Sequence, residues 1–306
     1  MHTVALTSYR RPELTKASLS SLTGWSNLGK LIVSIDGLRP SAPEEERQWR
    51  KDVIKVCEEF ASGDPRISVR VRDSNEGLTE HVIDLLQSAF ENGESALLLE
   101  EDVAISTTGL DFLASNVVNS DFPQASSAFT RAVHKKFPED APRKTFFPEL
   151  WGMALNRAFF DSFERLWTNK DLTHAEVLQA IQISLPTLSS RRTELAADWW
   201  LRLLRFGLDH HTHQDAVFAA TAMRLKVPFL APWETFVSDA AFGDDRSLHP
   251  RTERDRFVFE HSADSRGGYC LKCESKFGRL SQSGWMHRTY EKVYWSLRRA
   301  KSITQY

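Results

Sequence analysis

The chain has 306 residues, 41% of them hydrophobic and 26% charged, which is enough for a full core and argues against disorder. A formal charge of −2 gives no global attraction to nucleic acid, so no nucleic-acid partner is expected. Three cysteines cannot make a disulfide framework, and no run approaches the ~18 apolar residues that a bilayer span needs.

The first half alternates apolar runs with helical stretches. Val4-Ala5-Leu6-Thr7 predicts a strand, and Pro12 suits the first turn of a helix after it. Leu31-Ile32-Val33-Ser34-Ile35 predicts a second strand, stopped by Asp36-Gly37. A charged helix is expected over 43–61, a third strand over Ile67–Val71 and a further helix from Thr79 to Glu91. Ala96-Leu97-Leu98-Leu99 is continuously apolar, as the centre of a parallel sheet is. This order implies βαβ units and a doubly wound, mostly parallel α/β sheet flanked by helices, with ligands beyond the carboxyl ends of the strands.

The second half is less regular. Helices are expected near 155–167, 172–184 and 194–206, followed by a Pro-rich stretch at 228–233 and a loop rich in Asp, Gly and His at 242–250. From about 285 a basic amphipathic helix closes the chain, with Met286, Tyr290, Val293 and Leu297 at helical spacing. Such a helix either lies on an anionic membrane or caps the domain through Trp285 and Trp295. The N-terminus lacks the apolar core of a signal peptide, so the expected location is cytoplasmic, with peripheral contact at the inner membrane face if the helix binds lipid.

Leu97-Leu98-Leu99 runs into Glu100-Glu101-Asp102. Three carboxylates at the end of a buried strand are costly unless something positive sits beside them. Mg²⁺ or Mn²⁺ bridging a diphosphate suits the arrangement, because one or two carboxylates plus phosphate oxygens complete its shell. A solvated acidic turn is the ordinary alternative.

In these residues the chain resembles the GT-A-type glycosyltransferases, and Glu100-Glu101-Asp102 is similar to the acidic triplet of N-acetylglucosaminyltransferase I and related bacterial sugar transferases. The resemblance implies a GT-A-like domain over 1–252, with a nucleotide-binding half at 1–105 and an acceptor and catalytic half at 146–252. Residues 253–306 would form a C-terminal extension. It also implies that Asp102 binds the metal, Mn²⁺ or Mg²⁺, while Glu100 and Glu101 face the donor.

Further segments agree with it. Thr7-Ser8-Tyr9-Arg10-Arg11-Pro12 resembles the family's first nucleotide loop, which implies donor contacts from Thr7 and Tyr9 and an Arg11 packed on the base. Asp36 matches the aspartate that reads the base edge, and Asn75-Glu76-Gly77-Leu78 is similar to a turn beside the nucleotide, bringing in Asn75 and Gly77. Trp151-Gly152-Met153-Ala154 resembles a segment near the donor and acceptor sugars. By residue type alone, Trp151 reads equally as core.

An inverting transfer needs a carboxylate to take the acceptor proton. Asp198 and Asp215 compete. The resemblance favours Asp215, ahead of Pro232 and the Phe242-Gly243 loop, although Gln214 stands where relatives carry Trp. His210, His211 and His213 do not have the i, i+4 spacing of a helical zinc site. Ser238–His249 is similar to the family's Phe-Gly loop, which implies that His249 completes the metal shell or hydrogen-bonds the diphosphate, and that Arg246 or Arg251 neutralises it. Cys270-Leu271-Lys272-Cys273 lacks two further zinc ligands and reads as a pair of reduced thiols.

The resulting expectation is a glycosyltransferase of the hexosyl or N-acetylhexosaminyl class. It would move a sugar from a nucleotide-sugar, with UDP favoured by resemblance, to a hydroxyl of a glycan or lipid-linked glycan in polysaccharide biosynthesis. Two rivals remain: a sugar-nucleotide nucleotidyltransferase, whose glycine-rich loop is absent from Thr7–Pro12, and a non-catalytic carbohydrate-binding protein.

Overall fold

A computed structural model describes residues 1–75, 77–91, 93–117, 120–129, 142–146, 151–167, 172–184, 190–209, 214–232 and 235–239. The elements run β1 (His2–Ser8), α1 (Pro12–Thr23), β2 (Leu28–Ile35), α2 (Glu44–Gly63), β3 (Ile67–Val71), α3 (Leu78–Phe90), β4 (Ser95–Glu100) and β5 (Val103–Ile105). They continue with α4 (Thr107–Ser115), β6 (Ala125–Ser127), β7 (Arg143–Thr145), β8 (Met153–Asn156), α5 (Arg157–Trp167), α6 (His174–Ser184), α7 (Ser190–Asp209), α8 (Gln214–Leu225), β9 (Phe229–Ala231) and β10 (Val237–Asp239).

Eight strands form one mixed sheet in the order β3-β2-β1-β4-β8-β6-β9-β7, and β5 and β10 form a separate antiparallel ribbon. The first half behaves as its apolar runs require, since β1, β2, β3 and β4 pair in parallel. The second half adds one parallel pairing, β6 with β9, and three antiparallel ones, β4 with β8, β8 with β6 and β7 with β9, so the sheet is mixed with parallel pairings in the majority, as expected.

Strand alternation sends side chains to two cores. Ala5, Ile32, Ala96 and Leu98 face α3 and α5 to α8, whereas Val4, Leu6, Val33, Leu97 and Leu99 face α1, α2 and α4. Helices therefore cover both faces, which is why β1 and β4 read as uninterrupted apolar runs.

At β8 the boundary differs from expectation. Residues 155–156 belong to β8, not to the helix that follows. The Oδ1 of Asn156 accepts hydrogen bonds from the backbone N–H of Phe159 at 3.1 Å and of Gln124 at 2.9 Å. A side chain that caps the next helix while holding a neighbouring loop ends the strand there. The C-terminal helix, the Cys270–Cys273 pair and the 242–250 loop lie outside the described residues. Among the described residues no helix is long and apolar enough to cross a membrane.

Candidate functional site

The strand order creates the site. From β1 the chain passes through α1 to β2 on one side, and it returns through α3 to β4 on the other. Loops leaving β1 and β4 therefore diverge at a topological switch point, opening a crevice at their carboxyl ends. Thr7 and Glu100 are in register across it, and the Glu101 N–H donates to the Thr7 carbonyl at 3.1 Å, extending the pairing one residue further. The acidic turn thus sits at the place on the sheet where ligands bind.

The charge expected beside three carboxylates is Arg11. Its Nη1 donates to Asp102 Oδ2 at 2.7 Å and lies 3.8 Å from Glu101 Oε1. The structure therefore places Arg11 against the acidic turn. Glu101 is 8% exposed, and burial, then the Asp102 charge, pushes its carboxyl up to about 8 against the pull of Arg11. A protonated Glu101 at neutral pH relieves the like-charge crowding. The Thr7 hydroxyl donates inward to the Leu99 carbonyl at 3.4 Å. Glu100 is held from across the chain, since Gln214 Nε2 donates to its Oε1 at 2.9 Å. Gln214 is 5% exposed, and among the described residues no donor reaches its buried Oε1.

Asp36 and Asn75 also come together. Asn75 Nδ2 donates to Asp36 Oδ2 at 2.7 Å and to the Gly37 carbonyl at 3.0 Å, while Asp36 Oδ1 accepts the Gly37 N–H at 2.8 Å. The Asp36 N–H donates to the Ser8 carbonyl at 3.0 Å, so this aspartate continues the β1–β2 pairing as Glu101 continues β1–β4. Gly37 makes the approach possible, because a Cβ there would lie 2.0 Å from the Ser74 carbonyl carbon. Gly77 is the N-cap of α3 next to this turn.

Tyr9 joins a buried network that the sequence reading missed. Its hydroxyl donates to Glu46, which also receives Arg10 Nη1 at 2.9 Å and Arg39 Nη2 at 2.7 Å. Glu46 is hidden in the run Glu44-Glu45-Glu46, which looks like a solvated helix start. Its signal is periodicity: Glu46, Val53 and Cys57 are the buried residues of α2, so Glu46 stands on the apolar stripe.

From the acceptor half, Gly152 adopts φ +80°, a left-handed conformation suited to glycine, and its carbonyl accepts the Ala128 N–H at 2.8 Å. Trp151 meets Phe129 edge-on at 4.9 Å and packs against the core beneath the crevice. Asp215 is the second residue of α8, directly after Gln214, so the Gln214–Glu100 bond brings its backbone to the end of β4. Asp198 is half-exposed on α7 and pairs with His174 at 3.2 Å. His210, His211, His213, Arg246, His249 and Arg251 lie outside the described residues. A small apolar cavity of about 80 Å³, lined in part by Leu14, Ser18, Leu99 and Val103, sits behind the acidic turn.

Among the described residues no group of three or more His, Cys, Asp or Glu side chains converges on one point. Asp102 offers one partly exposed carboxylate, held at 2.7 Å by Arg11. That fits Mg²⁺ or Mn²⁺ arriving with a diphosphate, which needs only one or two protein carboxylates, and it does not fit an all-protein cage.

No family model matches the chain, and no curated protein matches it in sequence. Several solved structures share parts of its architecture. TarS from S. aureus is 15% identical with a TM-score of 0.34, over 54% of this chain and 30% of that one. The mannosyltransferase PcManGT from Pyrobaculum calidifontis, solved with GDP-Man and Mn²⁺, is 12% identical with a TM-score of 0.40, over 94% and 82%. A 4-diphosphocytidyl-2C-methyl-D-erythritol synthase from Anaerococcus prevotii is 10% identical with a TM-score of 0.34, over 66% and 96%. The chain thus spans under a third of TarS, and similarities at this level assign nothing to individual residues.

Proposed function

We propose that this protein is a metal-dependent glycosyltransferase that moves a sugar from a nucleotide-sugar to an acceptor hydroxyl with inversion. The observation that carries the reading is the acidic turn Glu100-Glu101-Asp102 at the switch point between β1 and β4, with Arg11 across it and the start of α8 tied to it.

Asp36, oriented by Asn75, reads the base edge, and Thr7, Tyr9 and Gly77 shape the nucleotide end. Arg11, being at the acidic turn, neutralises the diphosphate and does not pack on the base. Asp102, with His249, holds Mn²⁺ or Mg²⁺. When bound, the metal supplies positive charge for the departing diphosphate. Glu100 and Glu101 face the donor sugar, and Gly152 lets backbone come close to it, with Trp151 beneath.

Asp215 takes the acceptor hydroxyl proton as that oxygen bonds to the anomeric carbon. The bond from that carbon to the diphosphate oxygen breaks, and a nucleoside diphosphate leaves with both electrons. The acceptor is a glycan or a lipid-linked glycan.

The test is sugar release from a panel of UDP-, GDP-, dTDP- and CMP-sugars in Mn²⁺ or EDTA. Slow metal-dependent hydrolysis of one donor supports the reading and names its nucleotide. Pyrophosphate-dependent breakdown to a nucleoside triphosphate would mark a nucleotidyltransferase, and no metal-dependent binding of any donor would mark a non-catalytic protein.

A further inference from the structure

The buried carboxylate of Glu46 has no place in the chemistry above, yet it accepts hydrogen bonds from three side chains. At 1% exposure it is three residues into α2, and it reaches back to the loop after β1. Arg10 Nη1 lies 2.9 Å and Arg39 Nη2 2.7 Å from the same oxygen, Oε2, while Tyr9 donates to Oε1, which Arg39 Nε approaches at 3.4 Å. These partners come from two separate loops: residues 9 and 10 follow β1, and residue 39 follows β2. Those loops carry Arg11 and Asp36, the groups that face the two ends of a nucleotide. Two guanidinium groups sharing one carboxylate oxygen would repel each other without it, so the carboxylate fixes how closely the loops approach.

We propose that Glu46 is a positioning residue for nucleotide binding. It acts through Tyr9, Arg10 and Arg39, clasping the β1 and β2 loops so that Arg11 and Asp36 stand at a fixed separation. The inference rests on the nucleotide reading above and extends it to a residue that touches no ligand. Burial first, then the bond to Glu46, pushes the Tyr9 phenol up to about 12, which gives the clasp a signature independent of any ligand.

The experiment compares wild type, Glu46→Gln and Glu46→Leu in the full chain. The tyrosinate absorbance is titrated against pH, and UDP, GDP, dTDP and CMP binding is measured by calorimetry with Mn²⁺. Thermal melting selects temperatures at which each variant is folded. The expected result is a Tyr9 phenol that ionises at a lower pH than in wild type in both variants, while burial still holds it above the ordinary value. Affinity for the bound nucleotide should fall at least ten-fold in Glu46→Leu and less in Glu46→Gln, which keeps an acceptor oxygen for Tyr9. Unchanged affinity in a folded Glu46→Leu with a shifted Tyr9 would overturn the positioning role while leaving the nucleotide reading intact. Failure of wild type to bind UDP, GDP, dTDP or CMP with Mn²⁺ would overturn both.

Discussion

Gln214 and Glu100 stand 114 positions apart in the chain and meet in a 2.9 Å hydrogen bond that joins the first residue of α8 to the last residue of β4. It is one of the contacts by which the second half of the chain reaches the crevice built by the first. The donor site and the candidate base Asp215 come from separate halves, so their relative placement depends on contacts of this kind.

Replacing Gln214 with Leu keeps the apolar stem and removes the donor to Glu100. A stranded acceptor in a part-buried place costs about 1–3 kcal/mol, and a misplaced base adds to that. Donor turnover should fall about ten-fold or more, and the melting temperature should fall by several degrees. Initial rates at saturating donor check this, and a rate equal to wild type would mean that α8 is placed by other contacts.

The Asp36–Asn75 pair predicts a binding defect. Asn75→Ala removes the 2.7 Å bond that orients Asp36, and a hydrogen bond to a charged group contributes about 1.5–3 kcal/mol. Nucleotide affinity should weaken about ten-fold, read by calorimetry. Equal affinity in the variant would remove Asp36 from the base edge.

Gly37→Ala should be among the most damaging single changes near the site. Its new methyl would meet the Ser74 carbonyl carbon at 2.0 Å, the carbonyl oxygen at 2.2 Å and the Asn75 nitrogen at 2.5 Å. These are backbone atoms that cannot rotate away, so a loss on the order of 2–4 kcal/mol is expected, measured by urea unfolding. Wild-type stability would show that the two loops separate freely.

A pH effect on stability follows from His81. It is buried and shares a 2.7 Å hydrogen bond with Ser34, and burial, then the Arg72 charge, lowers its imidazole to about 4. The folded state therefore favours neutral His81. Its contribution is complete above the ordinary value of 6.5 and is lost as pH falls towards about 4, with a slope of up to about 1.4 kcal/mol per pH unit. In His81→Gln the acid limb of the stability curve between those values should flatten, as read by urea unfolding at several pH values. An unchanged limb would contradict the assignment.

How much of this was legible in the sequence depended on range. The parallel half was readable because β1, β2 and β4 are buried on both faces and so are written as unbroken apolar runs. β6 was missed because Ala125-Ser126-Ser127 carries no β-branched or aromatic residue, and the ribbon of β5 with β10 is too short for any period to show. The acidic turn was visible from its place after β4. Its counter-ion was not, because Arg11 reaches Asp102 over 91 positions, and nothing in Arg10-Arg11 says which guanidinium turns towards Glu46 and which towards Asp102. Trp151 looked equally suited to a sugar and to a core, and it packs on Phe129.

The most direct test of the central claim is calorimetry of nucleoside diphosphate binding with and without Mn²⁺, on wild type and Asp102→Ala. The acidic turn, as the metal-bridged diphosphate site, predicts tight binding that needs Mn²⁺ in wild type and loses its Mn²⁺ dependence in the variant. Binding that ignores Mn²⁺ in wild type, or survives unchanged in Asp102→Ala, would contradict the account.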